Sequence, residues 1–301
     1  MRHMLLAAAL MLIATQSHGF TTRTITLLHD GIERQALIDA NADLQDAPVL
    51  VVLHGGLAGP RTVRRRSGVG LAREGWVVLW PSALGDWNDG RVDADGEAYD
   101  KADDIGFLRK LIDDLAQAGI ADPRRVYFAG PSIGGIMVLR LICDAPELLA
   151  GAAVAIASLP EGGSCKDGPP RPILYIHGTD DGIMPPDGGR IGGWSPLIRD
   201  RGWVEPVAKT MARLAGRNGC DGFREARLID RVPDDASTVL WRSYEGCDAP
   251  LEHYIIEGGG HTWPGSGRSR LSRIVGATNQ DISATRLVED FFKRLDARRG
   301  G

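Results

Sequence analysis

Hydrophobic residues in this chain fall into two patterns that take turns along its length. Unbroken apolar runs occur at Val49–Leu53, Trp76–Trp80, Val126–Ala129, Ala152–Ala157 and Ile173–Ile176. A strand gains from an apolar residue at every position only when both of its faces are covered, so these runs read as buried parallel strands. Thr22–Leu28 and Ile32–Ile38 alternate loosely around Asp30-Gly31, which is a hairpin signal. Thr238–Ser243 and Glu252–Ile256 read as two further strands. Between the runs the period changes. Residues 101–118 carry Ile105, Leu108, Leu111, Ile112 and Leu115 at helical spacing, with Asp103 and Asp104 in the first turn and Gly119 at the end. Ile133–Leu141, residues 204–215 and Asp281–Arg298 have the same character, the last with Ile282, Leu287, Val288, Phe291, Phe292 and Leu295 inward. Strands alternating with helices predict an α/β fold, with a mostly parallel central sheet and helices on both faces. Residues 160–171 and 181–202 are rich in Gly and Pro and read as surface loops.

Composition narrows the picture without redirecting it. The 301 residues are 43% hydrophobic and 25% charged, which suits one large globular domain. A net charge of -4 argues against nucleic acid or an anionic membrane surface as a partner. Arg2 and His3, the apolar run Met4–Ala14 and the small-residue segment Thr15–Gly19 have the layout of a secretory signal peptide. That run is shorter than the ~20 residues of a membrane span. Residues 1–19 are therefore expected to be a signal peptide and 20–301 a single catalytic domain, secreted or periplasmic and without stable membrane insertion.

Export favours disulfides, and the cysteines number four: Cys143, Cys165, Cys220 and Cys247. Sequence allows three pairings. Cys143 with Cys165 and Cys220 with Cys247 are favoured because each closes a modest loop. Neither pair has the spacing of a zinc site.

Three distant segments carry the candidate chemistry. Gly130-Pro131-Ser132-Ile133-Gly134 follows an apolar strand and opens a helix, the context of a nucleophile elbow. A serine needs a base and an exposed oxygen to react, and the turn supplies the exposure. The backbone N–H of Ile133 would point at developing negative charge. Asp180 and Asp181 follow the His177-Gly178 pair and are chemically equal candidates for the acid. His261, in a loop after Gly258-Gly259-Gly260, is the candidate base. His54 and His177 begin His-Gly pairs at strand ends and read as structural, as do His253 in a strand and His29 in a hairpin. The order Ser, Asp, His is that of α/β-hydrolases. In that fold the loop after the first long strand, here His54-Gly55-Gly56-Leu57, adds a second oxyanion donor at Gly56 or Leu57. Trp87 and Trp263 lie in loops and are candidates for an aromatic substrate wall, whereas Trp194 reads as loop packing. Arg61, Arg64, Arg65 and Arg66 read as a solvated helix face.

These segments resemble the secreted esterase / polyhydroxybutyrate-depolymerase family of α/β-hydrolases, which includes LpqC-like lipoproteins and bacterial relatives of feruloyl and acetylxylan esterases. The resemblance runs from about Leu53 to Phe292. Its pieces are Leu53-His54-Gly55-Gly56, Trp87-Asn88-Asp89-Gly90-Arg91, Asp103–Leu108, the elbow, His177–Asp181, Asn218-Gly219-Cys220 and the distinctive Gly258–Gly265. It implies Ser132 as nucleophile, Asp181 as acid and His261 as base, and a Cys220–Cys247 bridge. Pro131 and Ile133 depart from the common elbow. Leu214 replaces an aromatic and Pro186 a tyrosine, changes expected to touch the substrate wall.

The expected function is a secreted serine carboxylic-ester hydrolase that works through an acyl-enzyme and needs no metal or organic cofactor. Feruloyl or acetyl esters of plant polysaccharide are the first substrate class, and short hydroxyalkanoate oligomers the second. No polymer-binding module or linker follows the catalytic domain, which favours soluble esters. A serine peptidase of the same fold would need a site for a peptide terminus. A non-catalytic binding protein on this fold would usually lack a member of the triad.

Overall fold

The computed structural model describes residues 20–93, 95–163, 165, 167–192, 201–269 and 271–299. The expected signal peptide and Trp194 lie outside the described residues. Strands β1 (Thr21–His29) and β2 (Ile32–Ala40) form the hairpin, and β3 (Ala47–Val52) and β4 (Val77–Pro81) follow, with helix α1 (Pro60–Ser67) between them. Helix α2 (Asp104–Gln117), β5 (Ala121–Pro131), α3 (Ile133–Asp144), β6 (Gly151–Ala155) and β7 (Ile173–Gly178) come next. The short pair β8 (Gly189–Arg190) and β9 (Trp203–Val204) precedes α4 (Val207–Arg217). The chain then runs through β10 (Gly222–Arg227), β11 (Thr238–Glu245), β12 (Leu251–Glu257), α5 (Ser272–Val275) and α6 (Ala284–Ala297).

Ten of these strands make one sheet in the order β1-β2-β4-β3-β5-β6-β7-β12-β11-β10. The central strands from β4 to β12 pair parallel, and the outer pairs at each end are antiparallel. Successive side chains of a strand point to opposite faces. Val49, Val51, Val126 and Phe128 therefore face one way, against Phe107 and Leu111 of α2, Ile136 of α3 and Met211 of α4. Leu50, Val52, Tyr127 and Ala129 face the other way, against Val63 of α1 and Val288, Phe291 and Phe292 of α6. The strands read as unbroken apolar runs because both faces are covered. This arrangement is the α/β-hydrolase architecture expected from the sequence.

Element ends were set by polar residues whose partners the sequence alone does not reveal. Helix α2 begins at Asp104, because the Asp103 side chain accepts from the Gly106 N–H at 3.0 Å and caps it. Asp104 is not a surface charge serving the helix dipole. It is 1% exposed, pairs with Arg34 at 2.5 Å and accepts from the Asn88 N–H at 2.7 Å. Burial raises its pKa, while Asn88 and Arg34 work against that shift. Helix α6 begins at Ala284, capped by Ser283, because Asp281 is used elsewhere and accepts from the N–H groups of Arg231 and Val232. Strand β6 stops at Ala155, where Ile156 turns into the left-handed region with φ 47°.

The two disulfides join Cys143 to Cys165 and Cys220 to Cys247, across 22 and 27 residues. The first pins the end of α3 to the loop after β6. The second ties the loop after α4 to the β11–β12 turn. Closing loops of this length contributes about 3 kcal/mol each by restricting the unfolded chain. Of the arginine run, Arg65 and Arg66 face solvent on α1, while Arg64 donates to the buried Asp39 at 2.7 Å.

Candidate active site

Ser132 sits where β5 hands over to α3, with φ 57° and ψ -130°. A non-glycine residue rarely adopts this backbone, and holding it there costs on the order of 1–3 kcal/mol that the surrounding packing must offset. The Ser132 N–H donates to the Ala155 carbonyl at 2.9 Å, and the Ile136 N–H donates to the Ser132 carbonyl at 3.0 Å. Gly134 makes the turn possible through close approach: a Cβ there would lie 2.4 Å from the Leu53 carbonyl oxygen. The elbow is thus pressed against the end of β3, and its serine is pushed up at the carboxyl end of the parallel strands.

His261 comes from the loop after β12. Its N–H donates to the Val275 carbonyl at 2.5 Å. Its Nε2 lies 3.0 Å from Ser132 Oγ, and its Nδ1 lies 2.7 Å from Asp181 Oδ2. The other Asp181 oxygen accepts from the N–H groups of Ile183 and Met184, at 2.9 and 2.8 Å. Asp181 is 4% exposed, whereas Asp180 points to solvent and its side chain accepts from Thr179 Oγ1. Of the two neighbouring aspartates, geometry joins Asp181 to the histidine. The loops that carry Asp181 and His261 meet because the backbone at Gly178 crosses that at Gly259; a Cβ at Gly178 would stand 2.1 Å from the Gly259 carbonyl oxygen.

The His54–Leu57 loop lies against Ser132. A Cβ on Gly55 would be 3.8 Å from Ser132 Oγ, and one on Gly56 would be 2.6 Å from Ile133 Cδ1. Gly55 therefore adjoins the serine itself, and Gly56 abuts the side chain of Ile133, the residue that follows Ser132. Leu57 follows with φ 57° and is 94% exposed. His54 is a clamp on this loop. Its Nε2 accepts from the Ala83 N–H at 3.2 Å, which leaves Nδ1 to carry the proton toward the Gly55 carbonyl at 2.9 Å. Burial lowers its pKa and keeps this neutral tautomer.

Trp87 corrects the expectation of an aromatic wall. It is 0% exposed, its Nε1 donates to the His54 carbonyl at 2.9 Å, and its ring packs 5.1 Å from the imidazole of His54. It braces the His54–Leu57 loop and offers no face to a ligand. Polar flanking residues suggested exposure, but the indole N–H had a backbone partner inside. Trp263 is half-buried, with Nε1 donating to Thr285 Oγ1 at 3.0 Å. Leu214, expected near the substrate, is 0% exposed and packs in the core under α4. Sequence reasoning also passed over Asp86 and Arg201, whose pairing at 3.2 Å lies beside Gly56.

His177 and His253 stack behind the acid loop, with His177 Nδ1 2.8 Å from His253 Nε2. Burial holds His177 down to about 4, and burial together with its neighbour holds His253 well below the ordinary histidine value. Asp181 favours the charged form of His177, and Arg242 opposes it for both rings. Both histidines stay neutral in the fold but protonate in the unfolded chain from about 6.5 downward. The unfolded state then binds more protons between that value and about 4, so stability falls as pH drops through this window. Denaturant titrations at pH 7, 5.5 and 4 are expected to show that loss. A His177→Gln/His253→Gln variant should show a shallower slope; an unchanged slope would remove the pair as its cause.

No family model matches the chain. Over 261 residues it is 30% identical to "Putative esterase NocK" of Nocardia uniformis subsp. tsuyamanensis, covering 81% of this chain and 74% of that protein. Feruloyl esterase B of Piromyces equi is 30% identical over 182 residues, which span 58% of this chain and 31% of that protein. The solved structure of acetyl xylan esterase from Aspergillus awamori superposes with a TM-score of 0.55 at 16% identity, covering 80% of this chain and 94% of that one. This last likeness bears on the fold alone. A 30% identity over 261 residues, which span 74% of the relative, shows the family: the chain belongs to the esterases, and its architecture is that of the α/β-hydrolase fold.

Proposed function

We propose that the chain is an exported serine esterase whose acyl-transfer centre is Ser132, His261 and Asp181. The observation that carries this reading is the continuous row of contacts from Asp181 Oδ2 through both nitrogens of His261 to Ser132 Oγ. His261 Nε2 takes the proton from Ser132 as Oγ attacks the ester carbonyl carbon. Asp181 accepts from Nδ1–H, which fixes the tautomer and stabilises the imidazolium. The N–H of Ile133 and one from Gly56 or Leu57 receive the oxyanion, a contribution worth ~10²–10³ in turnover per donor. Collapse breaks the ester C–O bond, and His261 protonates the departing alcohol. Water, deprotonated by His261, then releases the acid from Ser132. The two disulfides support export, since such bonds persist in oxidising compartments.

For the substrate, feruloyl or acetyl esters of plant polysaccharide remain the first choice. The relative from Piromyces equi, a feruloyl esterase by name, supports this. Hydroxyalkanoate oligomers are the second reading, since the family that the chain resembles also includes polyhydroxybutyrate depolymerases. Initial rates on methyl ferulate, acetylated xylan and 3-hydroxybutyrate oligomers decide between them. Faster turnover of the first two is expected. A preference for the oligomers would reverse the order, and cleavage of peptide p-nitroanilides without ester hydrolysis would refute both.

A further inference from the structure

The Trp87-Asn88-Asp89-Gly90-Arg91 segment builds something other than an aromatic wall. Arg91 is 1% exposed, and its Nε donates to both oxygens of Asp89 at 2.9 and 2.8 Å. Burial raises the pKa of Asp89, with Arg91 opposing the shift. A buried ion pair of this kind is poor evidence of added stability, because desolvation offsets the attraction. What it does here is positional: Arg91 Nη1 donates to the Arg201 carbonyl at 2.8 Å. The Arg201 side chain is in turn held by Asp86, through Nη1 to Oδ2 at 3.2 Å. Its guanidinium thereby stands against the His54–Leu57 loop. A Cβ on Gly56 would meet Arg201 Nη1 at 2.8 Å, on the side where it would also meet the Ile133 side chain.

Among the described residues, Nη1 to Asp86 is the one hydrogen bond this guanidinium makes, and the side chain is 22% exposed. A guanidinium carries five N–H donors, and among the described residues one of its nitrogens is engaged. Asp86 and Asp89 oppose Arg91 and Arg201, so the cluster is charge-balanced. Recognition would therefore come from the planar fork and its fixed position, not from a net field. A guanidinium fork matches a carboxylate best.

We propose that Arg201 is a specificity-determining residue that orients esters carrying a carboxylate near the scissile bond, in either the acyl or the alcohol part. This rests on the reading of Ser132 as nucleophile. Two sources share that chemistry: the free chain end of a hydroxyalkanoate oligomer, and a uronate beside an esterified sugar.

The test compares wild type with Arg201→Gln on matched esters that are stable in water: ethyl hemisuccinate against ethyl butyrate. The variant should lose about tenfold more kcat/KM on the hemisuccinate than on the butyrate, chiefly through KM, as loss of a charge-assisted contact implies. Added salt should narrow the wild-type preference, and Arg201→Lys should retain part of it. Equal losses on both esters, or none, would overturn the proposal. Fluorophosphonate labelling and the thermal midpoint of each variant confirm that the fold and nucleophile are intact. A 3-hydroxybutyrate dimer against its methyl ester, and acetylated acidic against neutral xylo-oligosaccharides, identify the source. Hydrolysis that survives in Ser132→Ala would sink the catalytic reading itself. An inactive Ser132→Ala with no selective loss in Arg201→Gln sinks this inference alone.

Discussion

Replacing Ser132 by alanine is expected to lower kcat for any ester by a factor on the order of 10⁶, the scale on which serine hydrolases depend on the nucleophile. The substitution removes one oxygen from a left-handed elbow residue and leaves its backbone hydrogen bonds to Ala155 and from Ile136 in place. Thermal stability should shift by less than about 1 kcal/mol, since no buried apolar contact is lost. Steady-state hydrolysis of a p-nitrophenyl ester, read beside a melting curve, separates the two effects. Turnover within about tenfold of wild type would mean that another group attacks the carbonyl.

The acid should show a sharper contrast. Asp181→Asn is expected to reduce kcat by about 10⁴, because an amide in that place favours the wrong imidazole tautomer. Asp180→Asn should stay within about threefold of wild type, as expected of a surface change away from the row. The two residues are adjacent and identical in chemistry. They differ in that Asp181 is buried with both oxygens engaged, while Asp180 faces solvent. Parallel kinetics on the two variants would check this, and a greater loss in Asp180→Asn would move the acid by one residue.

Much of the fold was legible because strands covered on both faces must be apolar throughout, as Val49–Leu53 and Ile173–Ile176 are. Strand β10 gave no such signal. It is exposed along its whole length and carries Arg224, Glu225 and Arg227, the charges that keep an edge from pairing with another chain. The glycine-rich turns around Ser132 and His261 were legible, since glycines mark places where backbones touch, as at Gly134 and Gly178. Burial of a single polar group was not. Trp87 looked exposed among polar neighbours, yet its N–H found the His54 carbonyl from 33 residues away. Arg201 carried no local signal either, because its place depends on Arg91 and Asp86, which are far off in the chain. Long-range polar pairing of this kind is set by topology and leaves no periodicity to read.

The most direct measurement is to identify the residue that becomes covalently attached during turnover. The protein would be treated with a fluorophosphonate, digested and analysed by mass spectrometry, with His261→Ala alongside. A single adduct on Ser132, formed far more slowly in His261→Ala, is the predicted result. An adduct on a different residue, or labelling of Ser132 at an undiminished rate without the histidine, would contradict the account.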